Sequence, residues 1–201
     1  MTRIALPLIV LAAALAPIAS AESKSFPVGD FTAIDTRGAV DVIFETGPEA
    51  SINVEQAEGD FSDIFIEQNG QTLLVGRNSL RSKAGWARNV SLSTKNDRKV
   101  VKVNGKRVPS YTIRVTAPAL EEVSVANSSS LSASGLDAST FSGSVSSSSD
   151  LTLAGSVEQA KLRASSSADL NAKQLATTSL DLDVSSSADA TAKVLGGKLT
   201  L

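Results

Sequence analysis

The stretch VSSSADATA, from Val184 to Ala192, carries the pattern that decides the fold. Similar strings precede it as ASSSADLNA, VSSSSDLTL and VANSSSLSA, beginning at Ala164, Val145 and Val125, so that successive starts are 20, 19 and 20 residues apart. Serine-rich strings are typical of flexible linkers. A linker needs no fixed interval, however, so the recurrence indicates an ordered repeat.

Apolar residues recur at matching offsets around these serine runs. Aligned on the serines, they form five sets: Val123, Gly143, Leu162 and Leu182; Leu131, Leu151, Leu170 and Ala190; Ala133, Leu153, Ala172 and Ala192; Leu136, Val157, Leu175 and Leu195; Phe141, Leu162, Leu180 and Leu199. Within each unit they alternate with polar residues, which is the period of a β-strand. Short strands repeating every twenty residues, with small polar corners, predict the coils of a β-solenoid whose equivalent strands pair about 4.8 Å apart.

Two other structures compete with the solenoid for this segment. A disordered Ser/Ala tail does not require valine and leucine in register. A β-sandwich is the stronger rival, but aromatic residues make up only 4% of the chain, and Leu, Val, Ala and Ser suit a narrower core. The N-terminal half also reads as strands, with a looser repeat and a hairpin that has Asn69-Gly70 as a type I′ turn. The predicted fold class is therefore all-β.

The first 21 residues have the features of a secretory signal peptide: the basic start MTR, an apolar run, and Ala19-Ser20-Ala21 as a cleavage site. The mature chain, residues 22–201, is predicted to form a single domain with no further transmembrane segment. The sequence contains neither cysteine nor histidine. Disulfides, thiolate metal sites and histidine-dependent catalysis are thereby excluded. Export without disulfides predicts the periplasm or outer surface of a Gram-negative-type bacterium.

The order of these segments resembles a known family. FTAIDTRGAVDVIFETG is followed by SINVEQ, the NGQTLLV hairpin, YTIRVTAPALEEVSVANSSSLSASGL and the serine-rich coils. This order is similar to that of the putative auto-transporter adhesin, head GIN domain family, a group of exported bacterial proteins of unknown function. The resemblance covers residues 31–201 and implies a right-handed parallel β-helix-like fold at the cell envelope. The sequence departs from the family pattern at Gly76 to Val108, where a long segment separates two core strands.

That departing segment, residues 76–108, concentrates positive charge. It holds ten Lys and Arg residues and one acid, giving +9, while the rest of the mature chain carries −12. Val100 to Val108 reads as a hairpin with Asn104-Gly105 as its turn. A basic, aromatic-bearing protrusion can bind anionic polysaccharide, lipopolysaccharide phosphates or lipid headgroups, or an envelope protein; it can also be a solvated loop or one docked on the acidic body of the chain. The candidate ligand-binding residues are Arg81, Lys83, Trp86, Arg88, Lys102, Lys106 and Arg107.

A second candidate feature is a column of carboxylates. Asp150, Asp169 and Asp189 each lie five residues after the start of their repeat, where the first repeat has Ser130. Stacking would bring neighbouring acids within about 5 Å of one another. No cofactor is predicted, and if a cation neutralises these acids, calcium is the expected one, since the ligands would be hard oxygens. The alternative is a solvated edge, because the glycine-rich calcium repeat of other solenoids is absent from the sequence.

These features predict an exported, non-catalytic module that presents a solenoid surface to polysaccharide, lipid headgroups or a protein partner, with no nucleic-acid partner. The alternative is a carbohydrate-active enzyme, a polysaccharide lyase or a glycosidase, on a parallel β-helix. Retaining hydrolysis needs two carboxyls about 5.5 Å apart in a cleft, whereas the aspartates lie beside serines at expected corners. The sequence does not determine the oligomeric state.

Overall fold

A computed structural model describes residues 22–56, 60–82, 85–86, 90–95 and 98–200. The predicted signal peptide, residues 1–21, lies outside the described residues. Across the described ranges the chain is all-β, with one short 3-10 turn at Asn78–Leu80 and no α-helix. Accordingly, the described part of the chain contains no helix with the length and apolar character needed to cross a membrane. The prediction of an all-β fold is confirmed.

Seventeen strands follow one another along the described chain. They are β1 (Glu22–Phe26), β2 (Ala33–Arg37), β3 (Asp41–Thr46), β4 (Ser51–Gln56), β5 (Ile64–Asn69), β6 (Thr72–Arg77), β7 (Arg81–Ser82), β8 (Gly85–Trp86), β9 (Val90–Lys95), β10 (Arg98–Val103), β11 (Lys106–Val108), β12 (Tyr111–Ala117), β13 (Glu122–Ala126), β14 (Ser130–Ser146), β15 (Asp150–Ser165), β16 (Asp169–Val184) and β17 (Asp189–Thr200).

Twelve of these strands form one sheet that curls almost closed around the hydrophobic core. The strand β14 shows how the curl arises: its first part pairs with β3, its last part pairs with β13, and its whole length pairs with β15. The strands β9, β10 and β11 make a separate three-stranded sheet, and β7 and β8 make a two-stranded one. The described strands of the basic segment after Arg77 thus lie on sheets of their own.

The strands β14 to β17 correspond to the serine repeats and pair in parallel, each with the next. Leu131 lies opposite Leu151, which lies opposite Leu170, and all three are buried. Burial of a leucine side chain contributes roughly 1.5–3 kcal/mol. The predicted column at this offset is therefore present, and its leucines face the core.

Two predicted columns are wrong in register. Val157 lies opposite Ala138 and Thr177, not Leu136 and Leu175. Leu162 lies opposite Gly143 and Leu182, so it does not belong with Phe141 and Leu180. The cause is two β-bulges. β14 has one more residue than β15 between Ala133 and Leu136, and β16 has one more than β15 between the pairs Thr152–Asn171 and Ala154–Gln174, so that later pairings change by one on both sides of β15.

The serine runs form the bends between successive strands. Two consecutive residues have positive φ in each bend: Asn127 and Ser128, Ser147 and Ser148, Ser166 and Ser167, and Ser186 and Ser187. The bends are hydrogen-bonded to one another, as in the 3.1 Å bonds from Ser128 N to Ser147 O and from Ser148 N to Ser166 O. Left-handed backbone disfavours β-branched residues. Serine and asparagine therefore suit these positions for their backbone conformation as well as for their small size.

This backbone requirement makes a testable difference between serines. Ser148 already has a Cβ at φ 57°, and valine adds a branched one, so Ser148→Val is expected to lower the free energy of unfolding by about 1 kcal/mol. The same replacement at Ser156, an equally exposed strand residue of β15, serves as the control and should be close to neutral, since valine suits a strand. Urea denaturation of both variants measures the difference. Equal losses would contradict the argument from φ.

The N-terminal half combines parallel and antiparallel pairs. β3 pairs in parallel with β12, while β4 pairs antiparallel with both β12 and β1. The predicted hairpin is present as β5 and β6, but its turn is not type I′: Asn69 pairs with Thr72, and of the two turn residues between them only Gly70 has positive φ. A type I′ turn needs positive φ at both central residues.

Candidate functional site

The buried side chain of Arg77 holds the two ends of the basic segment together. Arg77 is the last residue of β6, and its guanidinium donates hydrogen bonds to the Asp63 carboxylate (Nη1 to Oδ2, 3.0 Å) and to the Ala39 carbonyl (Nε to O, 3.2 Å). Its Nη2 also donates to the carbonyl of Pro109. Since Arg77 comes before the segment 78–108 and Pro109 comes after it, one side chain fixes the base of the protrusion.

The charge of Arg77 is compensated on several sides. Burial lowers the pKa of its guanidinium, and the hydrogen bond and charge of Asp63 act in the opposite direction. The guanidinium carbon lies 4.7 Å from the centre of the Tyr111 ring, within the range of a cation–π contact. Burial in turn raises the pKa of the Tyr111 phenol, whose hydroxyl donates to the Asp60 carbonyl at 2.9 Å. Asp63 also accepts from the Ser79 backbone N–H (2.7 Å) and hydroxyl (3.0 Å).

The three-stranded sheet of β9, β10 and β11 has one apolar and one polar face. Val101 and Val103 of β10 are buried, and Lys102 between them is exposed. Directly opposed residues of an antiparallel pair share a face. Leu92 and Val108 therefore lie on the same face as Val101, while Ser91 and Arg107 share the face of Lys102. Because side chains alternate along each strand, Lys102 of β10 and Arg107 of β11 lie on the face opposite the buried valines.

Lys102 and Arg107 lie directly opposite each other on this polar face. Their Cα atoms are then about 4.5–5.5 Å apart, and like charges in that position destabilise a sheet. Lys106, also exposed, adds a third cation beside the turn. The turn itself is as predicted, with positive φ at both Asn104 (51°) and Gly105 (78°). Three exposed cations on one hairpin make a locally positive surface.

The remaining predicted ligand-binding residues are only partly described. Arg81 of β7 and Trp86 of β8 are opposed across the two-stranded sheet. Lys83 and Arg88 lie outside the described residues. The structure therefore brings Lys102, Lys106 and Arg107 together on one hairpin and pairs the backbones of Arg81 and Trp86.

The predicted aspartates line up across the parallel strands. Asp150 lies opposite Asp169, which lies opposite Asp189, and all three are exposed. The row continues through Ser130 to Asp41, whose carboxylate accepts a 2.5 Å hydrogen bond from the Ser130 hydroxyl. Over the described parts of the chain, no three acidic side chains converge closely enough to hold a metal ion. Calcium binding by this row stays a prediction.

A polar groove crosses six neighbouring strands elsewhere on the sheet. Its volume is about 610 Å³. The strands β6, β2, β13, β14, β15 and β16 contribute to it through a row of paired residues: Thr72, Ala33, Glu122, Ser142, Lys161 and Asp181. A second depression of about 550 Å³ adjoins it through Lys161 and Asp181 and extends to Val184. The groove runs across the strands, in the direction in which they stack.

The family scan matches residues 30–196 to the family described as "putative auto-transporter adhesin, head GIN domain". The chain belongs to this family. The resemblance stated from the segment order is confirmed. No curated protein matches the chain closely. The match includes the basic segment, the aspartate row and the groove, so all three are features of this head GIN domain.

Three solved structures are similar to this head GIN domain, and the first of them shows the same fold. A putative adhesin from Bacteroides fragilis is 10% identical, with a TM-score of 0.50 over 88% of this chain and 97% of its own. A putative lipid binding protein from Parabacteroides distasonis is 13% identical, with a TM-score of 0.47 over 91% of this chain and 97% of its own. A putative adhesin from Parabacteroides merdae is 13% identical, with a TM-score of 0.45 over 91% of this chain and 96% of its own.

Sequence reasoning missed Arg77 and the groove in this head GIN domain. Arg77 was counted among the ten cations of the protrusion, but its side chain is buried below it. One signal was available: Arg77 ends a strand of alternating apolar residues, TLLVGR, at an offset that continues the buried set Leu73 and Val75. The groove has no local signal, because its lining comes from six separate strands.

Proposed function

We propose that this head GIN domain is a non-catalytic binding module of the cell envelope, exported after removal of a signal peptide. In this proposal residues 22–201 form a single domain, a right-handed parallel β-helix. The hairpin of β10 and β11 makes its contact with phosphate or carboxylate groups of an envelope lipid or polysaccharide.

The concentration of cations on this hairpin carries this proposal. Lys102, Lys106 and Arg107 are exposed on two strands joined by one turn, and a cluster of like charge raises the local concentration of anionic ligands. The buried clamp of Arg77 supports it further, because a protrusion fixed at its base presents its cations with less loss of conformational freedom on binding.

Two observations favour a module without catalytic activity. The family and the Bacteroides fragilis structure are named as putative adhesins. The aspartates that raised the possibility of a glycosidase or lyase are exposed and lie in a row across successive strands of the sheet. A general acid instead needs a sheltered position that raises the pKa of its carboxyl group. Incubation with acidic and neutral polysaccharides, followed by assays for reducing ends and unsaturated products, tests the enzymatic alternative. Release of either product would overturn the non-catalytic proposal.

Removing the cationic pair is expected to weaken binding to anionic surfaces. Each basic residue near a charged surface contributes about 1 kcal/mol, so Lys102→Ser with Arg107→Ser should weaken binding roughly 30-fold at low salt. The measurement is retention on vesicles containing phosphatidylglycerol, on purified lipopolysaccharide and on polygalacturonate. These three probes separate lipid phosphate, lipopolysaccharide phosphate and sugar carboxylate as sources of the anion.

The matched control changes the same charge elsewhere. Lys173 and Lys193 are exposed residues of β16 and β17, far along the chain from the hairpin. The double variant Lys173→Ser with Lys193→Ser should bind as the unchanged protein does, within about twofold, if the hairpin is the contact. Equal weakening by both pairs would mean that net charge alone determines binding, and the hairpin would lose its assigned role.

A further inference from the structure

The groove that crosses six strands differs from the hairpin in length, lining and charge. Successive strands in a sheet lie about 4.8 Å apart, so the row from Thr72 to Asp181, over five strand intervals, spans roughly 24 Å. Its volume of about 610 Å³ falls in the range of small-molecule sites, about 300–1,000 Å³. A ligand filling such a groove would be long and narrow, and would lie across the strands.

Hydroxyl and amide groups dominate the lining. They come from seven residues along the groove: Thr32, Gln71, Thr72, Thr140, Ser142, Gln159 and Ser179. Each can both donate and accept hydrogen bonds. The apolar lining residues Ala33, Phe141 and Ala160 are themselves buried. The exposed side chains of the lining are therefore mostly polar, which favours a polar ligand over a lipid chain or an apolar peptide.

The charges in the groove disfavour an anionic ligand. Glu121, Glu122 and Asp181 are acidic and Lys161 is the basic residue of the lining, which gives a net charge of −2. Lys161 and Asp181 face each other at 3.8 Å, so the two glutamates supply the remaining charge. Carboxylates accept hydrogen bonds from neutral hydroxyls but repel polyanions. This groove is thus opposite in charge to the Lys102 and Arg107 hairpin.

The geometry points to a linear neutral glycan as the ligand of this groove. Sugar hydroxyls match a lining of hydroxyls, amides and carboxylates, because each hydroxyl both donates and accepts. The strands repeat the lining at about 4.8 Å, close to the length of one pyranose unit in an extended glycan, so successive sugars meet equivalent positions on successive strands. The inference shares with the proposed function the premise of a binding module, but uses a different surface and a different ligand.

Amide resonances of an isotope-labelled sample, titrated with cellohexaose, xylohexaose, mannohexaose and chitohexaose, test this inference. At least one of the four is expected to shift the resonances of Thr140, Ser142 and Gln159. The variant Gln159→Leu keeps the size of the side chain and removes its amide, and should weaken that binding roughly tenfold. Its control is Gln174→Leu, the same change at an exposed residue of β16 outside the groove, which should bind unchanged.

The outcomes separate the groove from the hairpin. Lys102→Ser with Arg107→Ser should leave glycan binding unchanged, and Gln159→Leu should leave anion binding unchanged. If none of the four glycans shifts the groove resonances, the inference is overturned while the hairpin proposal stands. Equal weakening by Gln159→Leu and Gln174→Leu overturns it as well, since binding would then not depend on the groove.

Discussion

Replacing Arg77 with methionine is expected to lower the free energy of unfolding by about 4 kcal/mol. Breaking a buried ion pair by removing one partner typically costs 3–5 kcal/mol, because the remaining charge is left uncompensated. Here the Asp63 carboxylate, 17% exposed, would keep only its hydrogen bonds from Ser79. The carbonyls of Ala39 and Pro109 would lose the donors that Arg77 supplies. Against a typical total of 5–15 kcal/mol, such a loss is large.

Urea denaturation of Arg77→Met and of a matched surface variant measures this loss. Arg114 pairs with Glu55 at 2.9 Å, but their side chains are 53% and 35% exposed. An exposed pair contributes about 0–1 kcal/mol, so Arg114→Met should lose less than about 1 kcal/mol. Adding Asp63→Asn to Arg77→Met should recover part of the stability, since the uncompensated charge is then gone. Similar losses for Arg77→Met and Arg114→Met would show that the buried contacts of Arg77 stabilise the fold no more than an exposed ion pair does.

The same substitution should also loosen the protrusion. Arg77 ties Pro109 to the end of β6, so its removal takes away a fixed contact between the hairpin of β10 and β11 and the twelve-stranded sheet. Backbone amides of Val101 and Val103 are then expected to exchange with solvent faster than those of Leu151. Anion binding by Lys102 and Arg107 should weaken in parallel, because more conformational freedom is lost on binding.

The sequence predicted those parts of the fold that depend on local or strictly periodic signals. Asn104-Gly105 predicted its turn, since two residues determine a type I′ hairpin. Leu131, Leu151 and Leu170 were aligned correctly because they follow the serine runs at a constant distance. Val157 was misaligned, and Leu162 was placed correctly with Gly143 and Leu182 but wrongly with Phe141 and Leu180, because bulges intervene. The bulge of β14 contains Gly135 at positive φ, but one glycine in a strand does not by itself fix the new register.

The site was less predictable because its contacts join distant parts of the chain. Arg77 bonds to residues 14, 38 and 32 positions away, namely Asp63, Ala39 and Pro109. In the sequence it is one cation among ten. The groove needs the relative placement of six strands, including β2 and β13, which are far apart along the chain. The composition of residues 76–108 predicted the positive charge of the hairpin, but nothing in the composition predicted the acidic lining of the groove.

Gly155 occupies a position that no other residue can fill without moving the backbone. Its φ is +138°, which L-residues rarely adopt, and it lies opposite Leu136 and Leu175 where the strands bend. A Cβ atom there would lie 2.5 Å from the Leu136 N and 2.8 Å from its Cα, and would overlap the Leu136 carbonyl oxygen as well. These are backbone atoms in a hydrogen-bonded strand, so a change of side-chain rotamer cannot relieve the overlap.

Gly155→Ala is therefore expected to lower the free energy of unfolding by about 4 kcal/mol, from backbone strain of about 1–3 kcal/mol and overpacking of similar size. Gly70→Ala is the matched control: it also has positive φ (+59°), but its added Cβ would meet nothing within 4 Å. That variant should lose only about 1–2 kcal/mol, the usual cost of left-handed backbone for an L-residue. The two glycines share the need for positive φ, so the difference between the variants measures the close approach of adjacent strands at the bend. If both lose the same amount, β15 does not pass Leu136 as closely as the structure places it.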